Sequence, residues 1–276
     1  MSAIQPFART HVLNNHLSAW GTGDASRSWI PSARAVIDRR LLINFRASAE
    51  VVQRLLPSPL RPKLIRGWAL AGICLLRLRD ARPAGLPAIL GLTSENAAHR
   101  IAVVWKDILG TKHEGVYVPR RDTASRFNEF AGGRVIPGVH RGTIFQVWEP
   151  GNRFKIAVFP ADEPNRPLIR VHAHLADSLS RSSVFSSVHE AEECFRAGTI
   201  GWSPGRRAGT LERMALKINS GHIVPLEIDW LESRFFANNA NLPPGAWEFD
   251  SAFLMHEVDC EWHASSPAFL PEHHLR

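Results

Sequence analysis

Between Ala35 and Trp262 the chain reads as a succession of short strand-like segments, each closed by glycine, proline or polar turn residues, with only three short helical stretches among them. This pattern limits the fold more than any other feature. Many strands with a few short helices mean an antiparallel sheet or barrel with the helices packed outside, a mostly β (α+β) architecture. No period of 20–50 residues marks a repeat protein.

The segments follow from local chemistry. Ala35 to Arg46 reads as a strand, and Ala49 to Leu56 as a short helix stopped by Pro57-Ser58-Pro59, since proline offers no N–H to the ladder. The apolar run Gly67 to Leu78 reads as a largely buried strand. Pro83 to Leu92 is a loop, and Ala97 to Trp105 and Glu114 to Val118 are strands joined through Gly110. A helix is expected over Asp122 to Ala131, capped by Asp122 or Thr123 and left through Gly132 in the left-handed conformation. Thr143 to Trp148 and Arg153 to Phe159 flank Glu149-Pro150-Gly151-Asn152, a hairpin signal. Leu168 to Ala176 is a further strand. Ser187-Val188-His189-Glu190 is a capping box opening a helix that ends at Gly198, with Val188, Ala191, Cys194 and Phe195 on its inner side. Thr210 to His263 alternates again. One domain over residues 35–265 is expected, with an arm at 1–34 and a tail at 266–276.

Composition enters as a set of exclusions. Hydrophobic residues make up 45% of 276, enough for a substantial core. The net charge of +7 comes from arginines scattered along the chain, without a basic helix or an aromatic RNA-binding signature, so nucleic acid is not an expected partner. Cys74, Cys194 and Cys260 are far apart and show neither metal-ligand spacing nor a disulfide framework, which fits a reducing, cytoplasmic setting. No signal-peptide pattern is present, and no apolar run approaches the ~20 residues of a membrane helix.

Four clusters could carry chemistry. Thr93-Ser94-Glu95-Asn96 precedes a strand, so Glu95 is either a solvated loop carboxylate or a group at a cavity mouth. Arg120-Arg121-Asp122 could clamp an anion bidentately or form a structural Arg–Asp pair. Gly132-Gly133-Arg134 through Pro137-Gly138-Val139-His140-Arg141-Gly142 is the densest glycine and proline segment, and His140 is an acid–base candidate. His172 and His174 share a strand face at a spacing that can hold zinc, but no third ligand is identifiable, so no metal is expected. No P-loop, dinucleotide fingerprint or nucleophile elbow is present.

At these residues the sequence resembles the acetoacetate decarboxylase-like superfamily. Arg39-Arg40 to Leu60, ending in Pro57-Ser58-Pro59-Leu60, is similar to the decarboxylase N-terminal strand, helix and turn. Ser94-Glu95 to Val103 resembles the strand entry that carries an active-site glutamate, and Gly133-Arg134 resembles the stretch leading to the decarboxylase lysine pair. Ser94 to Arg100, Val118 to Thr123 and Phe249 to Ala252 are more closely similar to a bacterial branch of that superfamily, a domain of unknown function. The resemblance spans roughly Val36 to His263 and implies a cone-shaped, mostly antiparallel β-barrel enclosing a cavity.

The departures shape the functional expectation. The decarboxylases form a Schiff base through a lysine whose amine is activated by desolvation and by a neighbouring cation, both of which lower its pKa. Here the lysine pair falls on or beside His140 and Arg141, and no lysine lies between Lys112 and Lys155. Arginine is too basic to form an imine. A second decarboxylase acid falls near Cys74, and the family's N-terminal arginine aligns loosely on Asp38 or Arg39. The expectation is therefore a small-molecule-binding barrel for an anionic, oxygen-rich metabolite, without Schiff-base decarboxylation and without a cofactor. Glu95 and His140 would be its catalytic groups, with Asn96, Arg120, Arg121, Arg134 and Arg141 as binding groups. Lyase-like chemistry, a non-catalytic ligand-binding or assembly module, and association with further copies of the chain stay open.

Overall fold

The computed structural model describes residues 32–269 except 108, 219–220, 238–242 and 244, and side chains only to residue 264. Almost all of the expected arm and tail lie outside the described residues. Thirteen strands are present: β1 (Ala33–Ala47), β2 (Arg61–Pro62), β3 (Leu64–Ile65), β4 (Trp68–Pro83), β5 (Leu92–Lys106), β6 (Lys112–Thr123), β7 (His140–Trp148), β8 (Arg153–Pro160), β9 (Ile169–Leu175), β10 (Ile200–Pro204), β11 (Thr210–Ile218), β12 (Val224–Ser233) and β13 (Glu248–Phe269). The helices are α1 (Ala49–Gln53), α2 (Arg126–Ala131), α3 (Val188–Ala197) and α4 (Arg234–Ala237).

Nine strands close into a barrel in the order β13, β1, β4, β5, β6, β7, β8, β9, β12 and back to β13. Closure leaves this ring without a free edge. β2, β3, β10 and β11 lie outside it, and β10 and β11 bridge from β6 to β13. The barrel is mostly antiparallel, as expected, with one parallel junction in the ring. β6 pairs in parallel with β7 and with β10, so the barrel is mixed. α2 and the following loop carry the chain back beside β6 before β7 begins, and a return of that kind delivers a parallel neighbour.

β1, β4 and β13 are covered on both faces. Leu41, Ile43, Phe45, Ala69, Ala71, Ile73 and Leu75 point into the barrel, while Leu42, Leu70, Cys74 and Phe253 belong to a second core under α3. Double coverage explains why Ala69 to Leu75 is continuously apolar instead of alternating. β1 and β4 approach closely at Gly72, where a Cβ would lie 2.4 Å from the Ile43 carbonyl oxygen of the neighbouring strand. The clash is with backbone, so Gly72→Ala is expected to destabilise by about 1–3 kcal/mol in denaturant titration.

Local expectations fail where a strand outruns its apparent end. Thr93 to Asn96 lies within β5 instead of preceding a strand, and Asp122 and Thr123 end β6 instead of capping a helix. Ser125 caps α2, accepting from the Asn128 N–H. Gly132 is extended (φ −60°, ψ 127°), and Gly133 takes the left-handed conformation. α1 stops at Gln53, short of Leu56. Ser187 caps α3 through the Glu190 N–H, but the Glu190 carboxylate turns to Ser186, accepting from its N–H and hydroxyl. The hairpin turn forms as expected, with Gly151 at φ +57°.

Candidate functional site

Strand alternation decides which charged groups enter the barrel. On β5, Glu95 and His99 share the inward face with Ala97 and Ile101. Cross-strand pairing sets Arg39 of β1 beside Arg77 of β4, and Arg77 beside Glu95. The three form a polar row above the apolar lumen, and Glu149, from the β7–β8 turn, completes it. Arg39 donates to Glu95 (2.5 Å) and to Glu149, while Arg77 donates to Glu95 (2.7 Å) and Glu149 (2.8 Å). Arg77 and Arg79 also hold Asp38, at 3.3 and 2.9 Å. Two guanidiniums and two carboxylates thus alternate in one neutral ring. Arg39 is almost fully enclosed, its side chain 5% exposed.

The partners of Glu95 are therefore Arg39 and Arg77, and not Arg120, Arg121, Arg134 or His140. Pairing both oxygens of a semi-buried carboxylate with guanidiniums offsets the cost of removing it from water. Glu95 does not line the mouth cavity described next.

That cavity, of about 800 Å³, opens between β6, β7 and α4. Its inner wall carries Arg120, His140, Leu168, Arg234 and Phe235, and its rim carries Glu129, Arg141, Asp162 and Glu163. Arg120 faces the lumen opposite His99 and holds the fully buried Asp122 through Nε and Nη2 at 2.8–3.0 Å. Burial raises the Asp122 carboxyl, against the pull of Arg120 and Arg141. Arg234 pairs with Glu163 at 2.7 Å. Arg141 stands beside Asp122 in the β6–β7 pairing, is exposed, and makes no hydrogen bond or ion pair among the described residues.

Two histidines are held neutral here. His140 Nδ1 meets the Gly138 carbonyl at 2.9 Å, and burial followed by the Arg121 charge brings its pKa down to about 4. His99 is fully buried, its ring 4.2 Å from that of Phe235, and both nitrogens lack a partner among the described residues. Desolvation, then Arg120, brings it down to about 3. Phe235 thus lines the cavity with His99 packed against it.

The other sequence candidates lie elsewhere. Arg121 points to the opposite face from Arg120 and donates to Ser203 at 3.0 Å, and desolvation lowers it to about 10. Asn96 also faces away from the lumen and ties Ser94 to Thr123. Arg134 is exposed and lies over the Phe130 ring at 4.6 Å. His174 meets Asp229 and Glu227 on the outer side of β9, and the described residues hold no cluster of three metal-ligating groups. Arg77, Glu149, His99 and Arg234 were not among the sequence candidates. Only His99 and Arg77 carried a readable signal, as polar residues at inward positions of apolar strands.

Structural comparison finds relatives of this fold. An acetoacetate decarboxylase from Legionella pneumophila superposes with a TM-score of 0.58 at 10% identity, covering 97% of this chain and 99% of that one. The chain has the acetoacetate decarboxylase-like fold. An acetoacetate decarboxylase-like enzyme from Sphingomonas wittichii gives 0.54 at 12% identity, over 91% and 96% of the two chains. MppR, an enduracididine biosynthesis enzyme solved in complex with pyruvate, gives 0.53 at 13% identity, over 88% and 91%. No family model and no curated protein matches the sequence. At these identities the decarboxylase-like likeness is one of architecture, and the chemistry has to be argued from the side chains. No helix of the described residues is long and apolar enough to cross a membrane.

Proposed function

We propose that the barrel mouth binds a small, oxygen-rich carboxylate without forming a covalent bond to it. The unpaired guanidinium of Arg141, on the rim of the cavity, carries this reading. A guanidinium offers paired donors matched to a carboxylate, and a charge-assisted pair of this kind is the strong sort of hydrogen bond. Arg120 and Arg234 add donors on the inner wall, and His140, neutral with its Nδ1–H given to the Gly138 carbonyl, keeps Nε2 as an acceptor. Glu129 and Asp162 on the rim accept from hydroxyl or ammonium groups elsewhere on the ligand. The reading joins this lining to the barrel's likeness to MppR, which was solved with pyruvate.

The absence of lysine from the lining supports the non-covalent half. Lys63 is paired with Glu114, Lys112 is exposed, and Lys155 lies over the Trp148 ring. Incubation with acetoacetate or pyruvate and borohydride is expected to leave the intact mass unchanged. An adduct on Lys106, Lys112 or Lys155 would overturn this. In thermal-shift assays at constant ionic strength, small hydroxy- and oxo-carboxylates are expected to raise the melting temperature above that in chloride. A panel in which none does so would remove the reading.

Whether bound ligand is also turned over depends on a group poised to move a proton. His140 fits that role better than Glu95, because it is among the residues that line the cavity and Glu95 is locked in its ring of charges.

A further inference from the structure

On the opposite face of β1, β4 and β5, under α3, two further arginines converge. Arg40 and Arg100 line an enclosed crevice of about 50 Å³ with Asn44, Lys63, Glu114, Cys194 and Phe195. Neither Arg40 nor Arg100 has a carboxylate within ion-pair distance among the described residues, whereas Lys63 and Glu114 satisfy each other at 2.6 Å. Arg100 donates to the Asn44 side-chain oxygen at 2.7 Å and lies over the Phe195 ring at 5.0 Å. Its Nε is buried without a partner among the described residues. Among the described residues Arg40 reaches only the Cys74 sulfur, at 3.5 Å.

Desolvated Arg100 and half-buried Arg40 face one space with no carboxylate within ion-pair distance of either among the described residues; like charges there repel, and an unpaired buried cation is costly. An anion between them removes both penalties. We propose that this crevice is a second ligand site, taking a tetrahedral oxyanion of phosphate or sulfate type between Arg40 and Arg100. The charges set the sign of the ligand: Arg40, Arg100 and Lys63 against Glu114 leave an excess of two positive charges. The crevice holds more than a single water needs and much less than a sugar or nucleotide. A neighbouring cavity of about 360 Å³ shares Arg40 and Phe195 and adds Arg196 and His222, so the oxyanion is either a free ion or the terminal group of a monoester whose remainder lies there.

Cys74 responds to the same field. It is buried, and burial alone would raise its thiol, yet Arg100 and Arg40 together bring it below the usual range. Cys194, on the lining of the same crevice, is pushed up by burial. The site is separate from the mouth cavity, because Arg40, Cys74 and Arg100 point away from the lumen that holds Glu95 and His99.

Calorimetric titration of the full chain with inorganic phosphate tests this, with Arg40→Gln, Arg100→Gln and Arg141→Gln beside the unaltered protein. Saturable binding is expected, weakened at least tenfold by Arg40→Gln and by Arg100→Gln and less than twofold by Arg141→Gln. Arg40→Gln decides the matter if Arg100→Gln does not fold. Glycerol phosphate in place of phosphate separates the sources: equal affinity assigns the site to the free ion, and tighter binding assigns it to an ester. Absence of phosphate binding, or a loss caused by Arg141→Gln and not by Arg40→Gln, would overturn the proposal.

Discussion

Acidification from pH 7 to pH 5 is expected to cost the folded protein about 4 kcal/mol through two buried histidines. His99 and His140 are held neutral to about pH 3 and 4, while each takes up a proton near pH 6.5 once the chain unfolds. Between those values the unfolded state binds more protons, so stability rises with pH and is lost as pH falls through 6.5. At pH 5 each site contributes a loss of about 2 kcal/mol, at ~1.4 kcal/mol per pH unit. His99→Phe isolates one half, because the carboxylates titrate alike in both proteins. The phenyl ring can pack on Phe235 and Phe236 and removes two unsatisfied nitrogens. The variant is expected to be at least as stable at pH 7 and to lose about 2 kcal/mol less at pH 5. Chemical denaturation at both pH values measures this. Identical pH slopes in the two proteins would contradict a neutral, desolvated His99.

Arg39→Met is expected to destabilise by about 3 kcal/mol or more, the scale for stripping one partner from a buried ion pair. Both carboxylates that Arg39 serves stay behind, 17% and 19% exposed, each left with Arg77 alone. For a domain of this size the melting temperature should fall by roughly 6–12 °C. Glu95→Gln in the same background should recover part of the loss, with a coupling of about 1–3 kcal/mol in the double-mutant cycle. Additive effects, or a loss below about 0.5 kcal/mol, would make the ring an ordinary surface pairing.

The architecture was legible because strand periodicity and turn chemistry are local. The hairpin at Pro150-Gly151 and the helix opened by Ser187 need only neighbouring residues to be read. The parallel β6–β7 pairing was not legible, since it depends on how the loop after α2 returns. Glu95 was legible as a candidate, but its partners were not: Arg39, Arg77 and Glu95 meet through the alignment of three strands, which no local pattern encodes. The doublet Arg120-Arg121 looked like one clamp, yet a period of two sends its members to opposite faces. Arg134 was grouped with His140 through proximity in sequence, yet Arg134 lies exposed over the Phe130 ring while His140 is held at the Gly138 carbonyl.

The most direct test of the mouth site is a calorimetric titration with pyruvate, comparing the unaltered chain with Arg141→Gln. Arg141 is exposed and unpaired among the described residues, so its replacement should leave the fold intact. The account predicts saturable binding that Arg141→Gln weakens tenfold or more, the equivalent of about 1.4 kcal/mol for one charge-assisted pair. Equal affinity in the two proteins, or no binding by either, would contradict it.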